Sequence, residues 1–132
     1  MALRTYMKTK LLISQDNSAN PSQVAFNSGD VEFVDATLYN EESSKTLSIA
    51  PSTTDQQVSL DTIAVAAVVF VKTDVAGVTV KLVPPGKVLA DVSAMTLKAG
   101  MPLVVPCDTI EVYVSNTSAT DSAKVTVAAV GN

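Results

Sequence analysis

Short stretches in which apolar and polar residues alternate recur along this chain, and they constrain its fold more than any other feature. In the sequence TIEVYVS, the apolar residues Ile110, Val112 and Val114 alternate with Glu, Tyr and Ser. The segments VTVKLV (78–83) and AKVTVAA (123–129) repeat the pattern. A period of two residues is that of a β-strand with one buried face. The chain is therefore expected to contain many half-buried strands.

Turn-forming sequences separate these stretches. NPSQ at 20–23, NSGD at 27–30 and PPGK at 84–87 combine the residues that β-turns favour. The candidate strands are 4–14, 31–39, 45–50, 56–60, 63–72, 77–83, 87–97, 102–106, 108–115 and 123–130. NEESSK at 40–45 is compatible with one helical turn, and no stretch predicts a long helix. Many short strands with frequent turns predict an all-β fold, an antiparallel β-sandwich that is jelly-roll-like.

Length and charge divide the chain into an arm and a body. The 132 residues, 47% hydrophobic, suffice for one domain with a core. We predict an extended basic N-terminal arm or first strand at 1–14 and a single β-sandwich domain at 15–132. Arg4, Lys8 and Lys10 give the first ten residues a charge of +3, so the remainder carries −4 − 3 = −7. A basic arm on an acidic body predicts contact with an acidic partner; the alternative is a first strand with a solvated lysine edge.

The most hydrophobic stretch, IAVAAVVFVK, is apolar on both faces of the strand that it predicts. One face would carry Ile63, Val65, Ala67, Val69 and Val71, and the other would carry Ala64, Ala66, Val68 and Phe70. The run is far shorter than the roughly 20 residues of a membrane-spanning helix, so we expect no membrane partner. Two interpretations remain open. A loop or the arm covers the second face, or that face is buried against another copy or another protein, since exposed apolar strands favour aggregation.

Residues that carry chemistry are scarce. The chain has no histidine, which excludes Ser–His and Cys–His catalytic pairs and imidazole metal ligands. The aspartates and glutamates fall mostly in predicted turns, and neither a metal-binding motif nor a glycine-rich phosphate loop is present. We therefore predict a non-enzymatic protein that has no catalytic, cofactor-binding or metal-binding residues and no small-molecule substrate. Three basic residues on an acidic body are too few to indicate nucleic-acid binding.

The single cysteine, Cys107, cannot form a disulfide within one chain, which suits folding in a reducing cytosol. We predict it to be a small buried residue. The only apolar run near the start, Leu11 to Ile13, is too short for a secretion signal. The protein is therefore expected to be made in a cytoplasm.

In composition and in its β-strand sequences, the chain is similar to small virion structural proteins of tailed bacteriophages, above all the capsid decoration (cement) proteins. The resemblance rests on a histidine-free β-domain that begins MALRTYMKTK, continues through AVAAVVFVKTD and LKAGMPLVVP, and ends in IEVYVSNTSATDSAKVTVAAV. It covers most of the chain but contains no diagnostic motif.

The resemblance implies a β-sandwich or β-tulip fold and a homo-oligomer, most often a trimer. It implies that the protein sits on the capsid surface of the virion, where capsomers meet, and stabilises the shell by binding the major capsid protein. Arg4, Lys8 and Lys10 would then form a capsid-contact arm, and Ala64, Ala66, Val68 and Phe70 a subunit interface. Two alternatives stay open: another virion component (tail, collar or head-fibre base), or a carbohydrate- or receptor-binding jelly-roll module.

Overall fold

The structure, a computed structural model, describes residues 3, 6–9, 12–14, 24–27, 29–34 and 39–132. The chain divides into two compact units. The first, which we call the N-terminal ribbon, comprises Arg4–Leu38. The second, the main unit, comprises Met1–Leu3 with Tyr39–Asn132.

Among the described residues of the N-terminal ribbon are four short strands. These are β1 (Tyr6–Thr9), β2 (Leu12–Ser14), β3 (Val24–Asn27) and β4 (Val31–Val34). They pair as two nested antiparallel hairpins, with β2 on β3 and β1 on β4. The predicted strand 4–14 is thus described as two shorter strands. The predicted turn at 20–23 lies outside the described residues.

The main unit contains eight strands and one 3-10 turn. The strands are β5 (Glu41–Ile49), β6 (Thr53–Val58), β7 (Ala66–Thr73), β8 (Val78–Val83), β9 (Met95–Thr96), β10 (Leu103–Val105), β11 (Glu111–Asn116) and β12 (Ala123–Gly131). The 3-10 turn, Leu89–Asp91, lies between β8 and β9. The all-β prediction is confirmed for the part of the chain that the structure describes.

The eight strands form two four-stranded antiparallel sheets. The first sheet has the order β10-β7-β12-β5, and the second has the order β6-β11-β8-β9. Four of the strand pairings are nested, because β5 pairs with β12, β6 with β11, β7 with β10 and β8 with β9. The first strand of the unit therefore lies beside the last. Each later pair consists of strands that lie, in the sequence, between the two strands of the pair before it.

The predicted alternation within strands is confirmed, and it builds the core. Val112 and Val114 of β11, Val80 of β8 and Val125 of β12 are all 0% exposed. Buried residues of both sheets belong to one hydrophobic cluster. Removing a valine side chain from water contributes roughly 1.5–3 kcal/mol. Buried valines recur on β6, β7, β8, β11 and β12, and Ile49 takes their place on β5. Burial of these residues fixes which face of each of the six strands points inward.

Two local predictions are wrong. The segment 40–45, expected to allow a helical turn, contains the first residues of the long strand β5. The predicted strand 87–97 is mostly a loop in which Val88 is 62% exposed, and only Met95–Thr96 forms a strand. The preceding PPGK sequence does form the expected turn, closed by the Lys87 N–H donating to the Pro84 carbonyl at 3.2 Å. The chain then continues in the 3-10 turn instead of returning to a sheet.

A bulge in β7 changes the predicted faces of the apolar run. Gly131 pairs with Ala66, whereas its neighbour Val130 pairs with Val68, so β7 has one extra residue at Ala67. An extra residue reverses the alternation on one side of it. Ala66 is consequently 0% exposed in the core and does not share a face with Val68 and Phe70.

Candidate interaction surfaces

The outer face of the first sheet carries a strip of apolar residues. The register places Phe70 of β7 between Val104 of β10 and Ala128 of β12. Val68 and Val130 form the neighbouring row. All five are only partly buried, in contrast to the core valines behind them. We call this group the apolar strip.

Charged residues of the same face flank the apolar strip. Lys72 of β7 and Lys124 of β12 lie towards one end, and both are exposed. Glu42 of β5, which is opposite Val130, lies at the other end and is also exposed. Within residues 39–132, none of these three charged side chains forms an ion pair. The face is thus apolar in the middle and oppositely charged at its two ends.

Not all of the four residues predicted to form a subunit interface lie on this face. Val68 and Phe70 lie on it, as expected from the sequence. Ala64 precedes β7 and is exposed, and its N–H donates to the Asn132 carbonyl at 3.0 Å. Sequence analysis missed Val104, Ala128 and Val130, because strand pairing, which brings them beside Phe70, cannot be read from a single strand. The role of the face as an interface stays a prediction.

Of the three predicted arm residues, the structure describes only Lys8. Arg4 and Lys10 lie outside the described residues. Lys8 is in β1, and its ammonium is 3.1 Å from a carboxylate oxygen of Glu32, with both side chains about half exposed. The register makes these two residues direct neighbours across β1 and β4. The Lys8 charge is therefore shared with a partner inside the ribbon, although it remains accessible to solvent.

A second β-bulge aims a carboxylate into a polar network on the second sheet. β6 has one extra residue opposite Ser115, and Asp55 there has a φ of 47°. The Asp55 N–H donates to the Ser115 hydroxyl at 2.8 Å, and Lys81 donates to the Asp55 carboxylate at 3.0 Å. The left-handed backbone conformation is costly for residues other than Gly, and Asn and Asp tolerate it best. These hydrogen bonds offset that cost.

A cavity of about 410 Å³ lies beside this network. Hydroxyl side chains dominate its lining: Ser52, Thr53, Thr54, Thr79, Ser115 and Thr117. Nearby on β11, burial raises the pKa of the Tyr113 phenol, and its hydrogen bond to Glu111 raises it further. Asp55 and Lys81 already bind each other, so the cavity offers hydroxyl hydrogen bonds more than free charge.

Asp61 ties the β6–β7 loop to the edge strand β5. Its carboxylate accepts hydrogen bonds from the Ser43 hydroxyl at 2.5 Å and from the Lys45 ammonium at 2.8 Å. Thr62, the next residue of the same loop, donates to the Glu41 carboxylate. Among the described strands β5 pairs on one side only, and an unpaired strand edge favours aggregation. The Asp61 contacts place this loop against that edge strand.

The Asp61 contacts predict a small acid dependence of stability. Hydrogen bonds from Lys45 and Ser43 lower the pKa of Asp61 below its ordinary value. The ionised form is therefore favoured in the folded state, and this stabilisation is present above about pH 4 and is lost as the pH falls through the lowered value. We expect Asp61→Asn to reduce stability at neutral pH and to make a smaller difference as the pH falls from 7 to 2. Denaturant unfolding of both proteins across that pH range measures this, and a difference that is constant with pH would contradict it.

Other candidate chemistry is sparse in the described part of the chain. Cys107 is exposed, so the prediction that it is buried is wrong. No group of three or more potential metal-ligating side chains occurs among the described residues. No helix among them is long and apolar enough to cross a membrane. Comparison of the chain with protein-family models, curated proteins and solved structures finds no match.

Proposed function

We propose that this chain is a non-enzymatic structural protein of a bacteriophage virion that decorates and stabilises the capsid. It would bind the major capsid protein on the outer surface, where capsomers meet. The N-terminal ribbon would supply the capsid contact, and the main unit would form a rigid β-sandwich. The proposal rests on the sequence resemblance and on the arrangement of the eight strands.

Strand order is the single observation that carries the proposal. Numbered from one to eight along the main unit, the strands have the orders 6-3-8-1 and 2-7-4-5 in the two sheets. Nested pairing of first with last, second with seventh, third with sixth and fourth with fifth is the arrangement of a jelly roll. Jelly rolls recur in viral capsid proteins and in lectins. The order supports the jelly-roll interpretation over a β-tulip, and with it a viral structural role, although a fold alone does not determine function.

The N-terminal ribbon supports a docking role. It is a compact unit of two nested hairpins, and two-stranded hairpins are at best marginally stable alone in water. Such a ribbon gains stability when it packs on another surface. Lys8 and Tyr6 are both more than half exposed, so β1 presents charged and aromatic groups to a partner. Repeated docking at many lattice sites increases avidity without any strong single contact.

Binding to expanded, DNA-free heads of the phage that encodes the chain tests the proposal. We expect the purified protein to bind such heads and to raise the temperature at which they disrupt. If Lys8 contacts an acidic capsid surface, Lys8→Glu should weaken binding about five- to tenfold at low salt, and added salt should reduce the difference. Co-sedimentation with heads at two salt concentrations measures both effects.

Glu32→Lys is the matched control, because Lys8→Glu also breaks the ion pair inside the ribbon. Attraction to an acidic capsid predicts that Glu32→Lys tightens binding. A purely structural role for the pair predicts that Glu32→Lys weakens binding as Lys8→Glu does and that the double variant restores it. Failure of the unmodified protein to bind heads would overturn the capsid role itself.

The hydroxyl-lined cavity beside Asp55 favours one alternative, a carbohydrate-binding jelly roll. Serine and threonine hydroxyls can hydrogen-bond sugar hydroxyls. Aromatic platforms are absent from the residues that line the cavity, which weakens this alternative. Oligosaccharide binding that is lost in Asp55→Ala, together with no binding to heads, would favour the lectin-like function over capsid decoration.

A further inference from the structure

The charged ends of the outer face of the first sheet are arranged as a self-complementary pattern. Lys72 and Glu42 lie on opposite sides of Ala128, two strands apart and four residues apart along the strands. With a strand spacing of about 4.8 Å and a rise of about 3.3 Å per residue, the diagonal between them is roughly 16 Å long and Ala128 lies near its midpoint. Neither side chain has an ion-pair partner within residues 39–132.

We propose that this face binds a second copy of the chain through a two-fold contact centred near Ala128. A two-fold axis that lies in the contact plane, perpendicular to the diagonal, brings Lys72 of each copy over Glu42 of the other. The same rotation places Phe70 of one copy over Val130 of the other, so the two apolar strips cover each other. The strands of the two sheets then cross at roughly a right angle, which is one of the two common ways in which sheets pack.

The charge pattern selects a second copy over other occupants of the face. A two-fold contact uses the same patch on both partners, and that patch must therefore be complementary to itself. The outer face meets this condition, with a lysine end, an apolar centre and a glutamate end. The trimer implied by the sequence resemblance instead requires two different patches that complement each other. The proposal thus replaces a three-fold contact by a two-fold contact at this face.

The size of the face predicts the strength of the contact. Four strands at about 4.8 Å and nine residues at about 3.3 Å give a footprint of roughly 19 by 30 Å. This is below the roughly 800 Å² per partner of standard stable interfaces. We therefore expect a dimer that dissociates on dilution in the micromolar range, not a permanent one.

Charge-swap variants test the contact by light scattering and sedimentation over a concentration range. We expect Lys72→Glu and Glu42→Lys each to weaken dimerisation about tenfold, since each variant makes both symmetric ion pairs repulsive. The double variant should restore dimerisation. An equimolar mixture of the two single variants should form heterodimers, because each contact then pairs a lysine with a glutamate.

Lys87→Glu is the charge-matched control, since Lys87 is exposed in the PPGK turn, away from the strands of this face. Phe70→Thr replaces the aromatic ring by a β-branched residue that also suits a strand, and it should weaken dimerisation at least as much as a single charge reversal. A stable trimer, a monomer at all concentrations, or a dimer unaffected by these variants would overturn the proposal. These outcomes are independent of head binding, so they leave the proposed capsid role to its own experiment.

Discussion

Asn116→Asp should cost about 3 kcal/mol or more of the free energy of unfolding. Asn116 is 0% exposed at the end of β11. Its amide nitrogen donates to the Ile49 carbonyl at 3.1 Å and to the Asp121 carbonyl at 2.8 Å, and its amide oxygen accepts from the Ser118 N–H at 3.1 Å. An aspartate there directs a carboxylate oxygen at two carbonyl oxygens. Each buried group that loses its partner costs about 1–3 kcal/mol, and an unpaired buried charge costs more.

Denaturant unfolding of the variant at neutral pH measures this loss. Asn132→Asp is the matched control, because Asn132 is exposed and its side-chain oxygen only accepts a hydrogen bond, from the Asn40 N–H at 3.0 Å. An aspartate preserves that acceptor, so we expect a change within about 0.5 kcal/mol. A similar small change at Asn116 would mean that its hydrogen bonds contribute little. Lowering the pH should recover part of the stability of Asn116→Asp, since protonation removes the buried charge.

Asn116 also illustrates a limit of sequence reasoning. It lies in the polar sequence SNTSATDS, whose composition is typical of an exposed loop. Thr117, Ala119 and Thr120 are exposed as that pattern indicates, but Asn116 continues the buried face of β11. Its side chain ties the loop after β11 to the end of β5. The contact joins residues 67 positions apart in the sequence, and no local pattern encodes such a separation.

Periodicity was informative wherever burial alone decided the structure. The strands expected at 77–83, 108–115 and 123–130 correspond to β8, β11 and β12, because valines on one face of each strand fill a common core. Val88 shows where periodicity misleads: the predicted PPGK turn ends β8, but nothing in the sequence after it shows that the chain continues in a 3-10 turn and a loop instead of a new strand. The bulges at Ala67 and Asp55 were likewise not predictable, because they depend on the register of a partner strand.

The candidate surface was only partly predictable for the same reason. Val68 and Phe70 were identified from the apolar second face of one strand. Their neighbours Val104 and Ala128 come from strands remote in sequence, and the opposed positions of Lys72 and Glu42 follow from the order of three strands. The surface is formed by side chains of several neighbouring strands, so the sequence of one strand identifies only the residues that this strand contributes.

Gly131→Ala should destabilise the main unit by about 1–3 kcal/mol, the usual range for overpacking a tight site. A Cβ atom on residue 131 would lie 2.1 Å from the Val65 carbonyl oxygen and 2.8 Å from the Ala66 Cα. Both are backbone atoms of the bulged segment that crosses the end of β12, so no side-chain rotation relieves the contact. The glycine is needed here for close backbone approach, not for its dihedral angles.

Detachment of residues 131 and 132 limits how much stability Gly131→Ala can lose. The clash can be relieved if residues 131 and 132 detach, but the Asn132 carbonyl then loses the hydrogen bonds that it accepts from the Ala64 and Val65 N–H groups, both at 3.0 Å. A chain truncated after residue 130 therefore represents the fully detached state. We expect the stability of Gly131→Ala to equal that of the truncated chain or to lie between it and the unmodified protein. Stability equal to that of the unmodified protein would show that β7 can move away from β12 at the bulge at no cost, in which case the bulge would not hold the two central strands of the first sheet in register.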